Sequence, residues 1–169
     1  FLKQSGVREP EQTHLEAAEA LVFSEKPSAQ CHFPGGVTIA RNYDRLEKQE
    51  EKQAPEPVIL SGCGEVEYGP YRISWTPAEQ LLNGPDVFTV VPEGPVRIGC
   101  RQSGDRLRLP GGSKSLKKLY IDRKIPAGLR PQIPVVRDDR GILGVYGMGP
   151  DQDRKAETLP AVTVRIREK

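Results

Sequence analysis

The chain has 169 residues, 36% of them hydrophobic and 28% charged, with a formal net charge of +2. That length allows one or two domains, and that composition fits an ordinary globular chain better than a disordered one. No apolar run approaches the roughly 20 residues needed to span a bilayer, which excludes a helical membrane protein.

Phe1–Pro10 has no continuous apolar core and does not read as a signal peptide. The chain starts at Phe1 without an initiator Met, so a fragment with a missing N-terminal partner is expected. Residues 11–26 are predicted to form one helix. Thr13 and Glu16 have capping-box spacing. Leu15, Ala18 and Val22 share a face, with Leu21 beside them. Lys26–Pro27 ends the helix, because the residue before proline is pushed out of the α region. Next, Gln30–Phe33, Pro34–Gly35–Gly36 and Val37–Arg41 have the pattern of a β-hairpin. Asp44–Pro57 carries almost no apolar residue and ends in prolines. It is expected to be an exposed linker and the domain boundary, dividing 1–54 from 55–169, with its charge run a solvated surface.

After Pro57 the pattern is mostly β. Expected strands are Val58–Leu60, Tyr71–Trp75, Val87–Val91, Val96–Cys100, Ile133–Val136, Ile142–Tyr146 and Ala161–Ile166. One helix is expected near Ser115–Lys124. The fold class is therefore α+β: a small helix-plus-hairpin segment, then a mixed β-rich domain of layered short sheets with one or two short helices. The 17 Gly and 16 Pro fit short strands joined by turns.

Charge is unevenly placed. Cys100–Arg137 carries ten cations and two anions, a net +8, so the rest of the chain must be −6. Segregation of this kind points to a polyanion, with nucleic acid foremost. On a helical projection Leu116, Leu119 and Tyr120 fall on one side, and Lys114, Lys117 and Lys118 on the other, with Ile121 among the lysines. Arg123 falls on the apolar side, so either the helix stops near Asp122 or the guanidinium folds back to a polar partner. Lysines in a first helical turn face the positive end of the dipole, a poor choice unless an anion sits there. The preceding Gly111–Gly112–Ser113 turn would let backbone amides approach such an anion.

Other motifs are rejected. Gly111–Ser115 lacks the spacing of a phosphate-binding P-loop. Ser61-Gly62-Cys63-Gly64-Glu65 departs from the SGGxDS loop of PP-loop enzymes at three positions and leads into a strand-like stretch. Asp138-Asp139-Arg140-Gly141 is read as a hairpin turn and not as a carboxylate pair for catalysis. His14 and His32 have no acidic partner at a telling spacing and are read as structural or solvated. Tyr71 and Trp75 alternate in a strand and are assigned to the core. Cys31, Cys63 and Cys100 are odd in number with no C-x-x-C spacing, which argues against a disulfide framework or zinc site and fits a reducing cytoplasm.

The segment GDRLRLPGGSKSLKKLYIDRKIP, continuing through Leu129-Arg130, Ile133–Val136 and Gly141, resembles the C-terminal domain of the tRNA(Ile)-lysidine synthetases. THLEAAEALVFSEKPSAQCHFPGGVTIARNYDRL is similar to the end of the helical domain that precedes it in the long form. Residues 57–99 match only loosely. The resemblance implies that 1–54 ends a helical substrate-binding domain and that 55–169 is a tRNA-recognition domain. It implies a parent ligase whose N-terminal PP-loop domain, absent here, uses ATP with magnesium, and lysine. ATP would adenylate the C2 oxygen of the wobble cytidine in the CAU anticodon of tRNA(Ile). Lysine would then displace AMP, changing decoding from AUG to AUA. This chain itself is expected to hold no cofactor, metal or catalytic residue. Its candidate nucleic-acid-binding residues are Arg106, Arg108, Lys114, Lys117, Lys118, Arg123, Lys124 and Arg130, and its expected contact is the acceptor stem. Further expected partners are the chain's own PP-loop domain and a second copy, as a homodimer; no membrane is expected. The alternative is a protein-interaction module whose basic face docks an acidic partner domain, a role that the exposed Ile121 would suit.

Overall fold

A computed structural model describes residues 1–26, 29–49 and 52–169. The chain divides into two compact units. The first comprises Phe1–Lys52 with Lys124–Leu129, and the second Gln53–Arg123 with Arg130–Lys169.

The first unit contains helix α1 (Gln12–Val22) and strands β1 (Gln30–Phe33), β2 (Val37–Asn42) and β3 (Arg45–Lys48), which pair in that order as an antiparallel meander. The predicted hairpin is present. Phe33 pairs with Val37 across a turn in which Gly35 and Gly36 take φ of 80° and 73°, a left-handed region open to glycine. Its core is Leu2, Val7, Leu21, Phe33, Val37 and Ile39.

Four expectations are corrected here. The helix is shorter than 11–26, ending at Val22 with Phe23 as its C-cap; the Pro27 stop lies outside the described residues, as does Ser28. Its N-cap is Glu11 and not Thr13: the Glu11 amide donates to His14 Nδ1 at 3.0 Å. Its buried side is rotated. His14, Ala17, Ala18 and Leu21 form the inward stripe, whereas Leu15 and Val22 are 50% and 45% exposed. The expected linker also begins too early. Leu46 packs against the first core, and that single anchor with the β2 pairing is enough to make Arg45–Lys48 a strand. Glu50 and Glu51, within the same expected linker, lie outside the described residues.

The second unit is built from strands β4 (Val58–Leu60), β5 (Gly64–Tyr68), β6 (Tyr71–Pro77), β7 (Val87–Val90), β8 (Val96–Gly99), β9 (Arg106–Leu109) and β10 (Gly112–Ser115). Helix α2 (Leu116–Asp122) follows, then a 3₁₀ turn (Arg130–Gln132) and strands β11 (Val135–Arg137), β12 (Ile142–Val145), β13 (Gly149–Pro150) and β14 (Val162–Glu168). One antiparallel sheet runs β13-β12-β11-β8-β4, a second runs β5-β6-β14-β7, and β9 and β10 form a separate hairpin. All seven predicted strands are present, shifted by a residue or two at their ends, and the α+β class holds.

Strand periodicity explains the packing. Along β6, Tyr71, Ile73 and Trp75 turn inward while Arg72 and Thr76 face solvent; along β14, Val164 and Ile166 turn inward while Arg165 and Arg167 do not. One apolar cluster joins Ile73, Trp75, Phe88 and Ile166 to Ile98, Val136 and Leu143, so both sheets contribute to one core. Each such side chain, fully buried, contributes about 1.5–3 kcal/mol. The sheets approach closely at Gly144 of β12. A Cβ there would lie 2.5 Å from Phe88 Cζ and 2.9 Å from the Gly149 carbonyl oxygen, so the position requires glycine.

Candidate nucleic-acid interface

The basic segment folds as a hairpin followed directly by a helix. In β9, Leu107 is fully buried while Arg106 and Arg108 are exposed, the alternation of a half-buried strand. Arg108 pairs with Ser113 and Leu107 with Lys114, so Lys114 stands on the Leu107 face and the two arginines on the opposite one. Arg106 Nε and Nη2 donate to the Ser113 hydroxyl and carbonyl at 3.1 and 3.0 Å. The Arg108 guanidinium pairs with Asp153. Lys114 Nζ lies 3.6 Å from Asp122. Lys114 is therefore a strand residue, not part of the first helical turn where its spacing had placed it.

Ser115 caps α2. Its backbone is extended and its Oγ accepts from the Lys118 amide at 3.3 Å. The Leu116 amide donates to the Asp105 carbonyl at 2.9 Å, which ties the helix start to the turn before β9. Leu116, Leu119 and Tyr120 are buried, as their spacing predicts. Lys117 and Lys118 project on the solvent side in the first turn and form no ion pair among the described residues. Their position against the helix dipole costs about 0.3–1 kcal/mol each. Ile121, 37% exposed, lies beside them. The helix ends at Asp122, where Lys124 takes a left-handed φ of 55°. Arg123 folds back, its Nη1 donating to the Gly147 carbonyl at 3.4 Å, so both expectations for this residue hold.

The remaining cations are more firmly held. Arg137 meets Asp105 with two bonds, Nη1 to Oδ1 at 3.2 Å and Nη2 to Oδ2 at 2.9 Å, and also donates to the Cys100 carbonyl at 3.1 Å. The Gln102 amide donates to Asp105 Oδ2 at 2.7 Å, closing the turn. Asp138 begins the predicted hairpin turn and is also a structural ion-pair partner that the sequence did not disclose. It is buried, and Arg154 donates to its two oxygens at 3.1 and 2.5 Å. Burial pushes its carboxyl up, but Arg154 and the amides of Glu93 and Arg140 outweigh this and hold it below the usual carboxylate range. Lys124 belongs to the first compact unit, where its Nζ is 5.2 Å from the Tyr43 ring centroid, a cation–π distance. Arg130 is half-buried in the 3₁₀ turn. Of the eight candidates, then, seven share the second unit, and Lys117 and Lys118 are the pair most open to an anion.

The histidines have structural settings. His14 caps α1 and His32 Nδ1 lies 2.9 Å from Thr38 Oγ1. Tyr71 and Trp75 are buried core, as expected. Among the described residues no group of three or more His, Cys, Asp or Glu is placed to hold a metal, and no helix is long and apolar enough to cross a membrane. Ser61–Glu65 runs into strand β5, so no helix N-terminus stands behind its glycines to receive a nucleotide phosphate. These residues do not fit ATP.

Residues 96–166 match the family model "TilS substrate C-terminal domain", and residues 1–47 match "TilS substrate binding domain". The tRNA(Ile)-lysidine synthase of Bacillus licheniformis is 30% identical over 150 residues, covering 80% of this chain and 32% of that protein. That of Geobacillus kaustophilus is 32% identical over 169 residues, covering 88% of this chain and 35% of that protein. The bifunctional protein TilS/HprT of Listeria innocua is 31% identical over 147 residues, covering 80% of this chain and 23% of that protein. A solved structure described as the crystal structure of a TILS C-terminal domain matches with a TM-score of 0.57 and 27% identity, covering 67% of this chain and 98% of that one. The fold and these matches place the chain among the substrate domains of the TilS proteins. The chain belongs to the tRNA(Ile)-lysidine synthase family and corresponds to its C-terminal region. It spans about a third of the length of the two synthases.

Proposed function

We propose that this chain holds tRNA(Ile) for a lysidine synthase, with its basic surface against the acceptor stem. The observation that carries this reading is the pair Lys117 and Lys118, exposed on α2 and without an ion pair among the described residues, inside the segment that matches the family's C-terminal domain. Double-stranded RNA is met mainly through phosphates and 2′-hydroxyls, which suits a lysine and arginine surface without exposed aromatics. In this reading Arg106, Arg123 and Arg130 of the same unit add to the positive field around α2, and Arg108 and Lys114, on opposite faces of the β9–β10 hairpin, add theirs by exchanging exposed carboxylate partners for phosphate. Such exposed pairs are worth no more than about 1 kcal/mol each, so a phosphate can replace them.

The chemistry belongs to the rest of the synthase in this reading. A PP-loop domain uses ATP, with magnesium, and lysine to convert the wobble cytidine of the CAU anticodon to lysidine, in the cytoplasm. This chain supplies choice and retention of the tRNA, not bond-making. A filter-binding titration of the chain with a tRNA(Ile) transcript tests it. With roughly 4 phosphates neutralised, affinity falls about 10²-fold between 50 and 200 mM salt. The double change Lys117→Glu and Lys118→Glu is expected to lower affinity at least about tenfold and to flatten the salt slope by about 2. Unaltered binding and slope would remove α2 from the interface.

A further inference from the structure

A second group of unpaired cations lies well away from α2 in sequence, on the outward face of the β5-β6-β14-β7 sheet. Arg165 and Arg167 of β14 are exposed and form no ion pair among the described residues. They project from the same face, about 7 Å apart along the strand. Their neighbour on β6 differs: Arg72 is held by Glu65 at 3.3 Å and Glu67 at 3.6 Å. Strand register then sets Ser74 beside Arg165 and Thr76 beside Thr163, so hydroxyls line the floor next to the Arg165 guanidinium, while Arg167 stands beside Arg72.

One end of this face is walled. The Leu82 amide donates to Thr89 Oγ1 at 2.9 Å, Thr89 Oγ1 donates to the Gln80 carbonyl at 3.3 Å, and the Thr89 amide donates to the Leu82 carbonyl at 2.8 Å. Those bonds fold the segment after β6 back over β7. The result is an open groove of about 490 Å³ lined by Ser74, Thr76, Thr163, Arg165, Gln80 and Glu79, among others. Guanidinium, hydroxyl and amide groups are the side chains that contact phosphate and sugar in nucleic-acid complexes. Glu79 fits the same ligand, as an acceptor for a 2′-hydroxyl. No aromatic ring lies among these residues, so the groove has nothing on which a base would stack.

We propose that this sheet face is a second RNA-backbone contact, with Arg165 and Arg167 bound to phosphates and the hydroxyl-lined groove to the adjoining ribose. The inference rests on the tRNA reading above. The full chain, the K117E/K118E variant and an R165E/R167E variant are each titrated with a tRNA(Ile) transcript across 50–200 mM salt. R165E/R167E is expected to bind on the order of tenfold more weakly, with a salt slope reduced by about 2. On the unsubstituted chain, bound transcript is expected to protect Arg165 and Arg167 from phenylglyoxal, a readout that needs no variant to fold. Weakening by K117E/K118E alone, with both arginines equally reactive in the presence of RNA, would overturn this second contact and leave the first. Failure of the unsubstituted chain to bind the transcript would overturn both. Polyglutamate that protects the two arginines where RNA does not would assign the face to an acidic protein segment and also overturn the proposal.

Discussion

Helix α2 and the strand ends around β11 carry cations that a charge count treats alike, yet the fold uses them in opposite ways. Lys117 and Lys118 stand on the solvent side of α2 with no carboxylate to meet them among the described residues. Arg137 and Arg154 are turned into the unit, 16% and 8% exposed at their side chains, each with its own aspartate. The difference is one of cost. A guanidinium taken out of water must be matched by a carboxylate and further hydrogen bonds, so it becomes part of the scaffold. An exposed lysine loses little hydration and keeps its charge for a partner. Arg137 and Asp105 already cancel within the segment's net +8, and the pairing of Arg108 with Asp153, outside the segment, lowers further the charge that a polyanion would meet.

The sharpest test of that contrast is the most buried pair. Asp138→Ala leaves Arg154 uncompensated and strips the acceptor from the Glu93, Arg140 and Gly141 amides, and should cost about 3–5 kcal/mol in denaturant unfolding. Because the folded carboxyl titrates below its unfolded value, its contribution is complete above about pH 4. That contribution is lost as pH falls through the lower folded value, and the variant should show a flatter acid limb.

A middle case is the half-buried Asp105–Arg137 pair. Asp105→Ala should cost about 1.5–3 kcal/mol, and should weaken tRNA binding without changing the salt slope, since it frees the helix start and removes no phosphate contact. A flattened slope would mean that Arg137 itself reaches RNA and that the contrast is misdrawn. The smallest effect is expected at Lys114–Asp122, where both side chains are largely exposed. Asp122→Ala should change stability by less than about 1 kcal/mol in thermal or denaturant melts.

Much of the second unit was legible because its strands alternate cleanly. Tyr71, Ile73 and Trp75 against Arg72 and Thr76 leave one possible orientation. The same signal was present in Glu65-Val66-Glu67-Tyr68 and in Arg106-Leu107-Arg108-Leu109, but turn glycines and a reading focused on charge hid β5 and β9. In α1 two stripes compete, and the one richer in large apolar residues, Leu15 and Val22, is the one left exposed. Local spacing cannot choose between stripes when the choice belongs to whatever packs against them. For the site, the positions of the charges were legible and their availability was not. Arg108 finds Asp153 at 45 residues' separation, and Arg137 finds Asp105 at 32. Pairing at such range is a product of the fold, and no local pattern encodes it.

The bare backbone contact at Gly144 has a consequence for any long ligand. Because Phe88 lies where a Cβ would stand, the two sheets interdigitate closely at this point. Helix α2 and strand β14 belong to that same compact unit. The spacing of Lys117 and Arg165 is therefore set within that one unit. An RNA that engages both must match it by its own helical geometry, so the unit would measure its ligand as well as attract it.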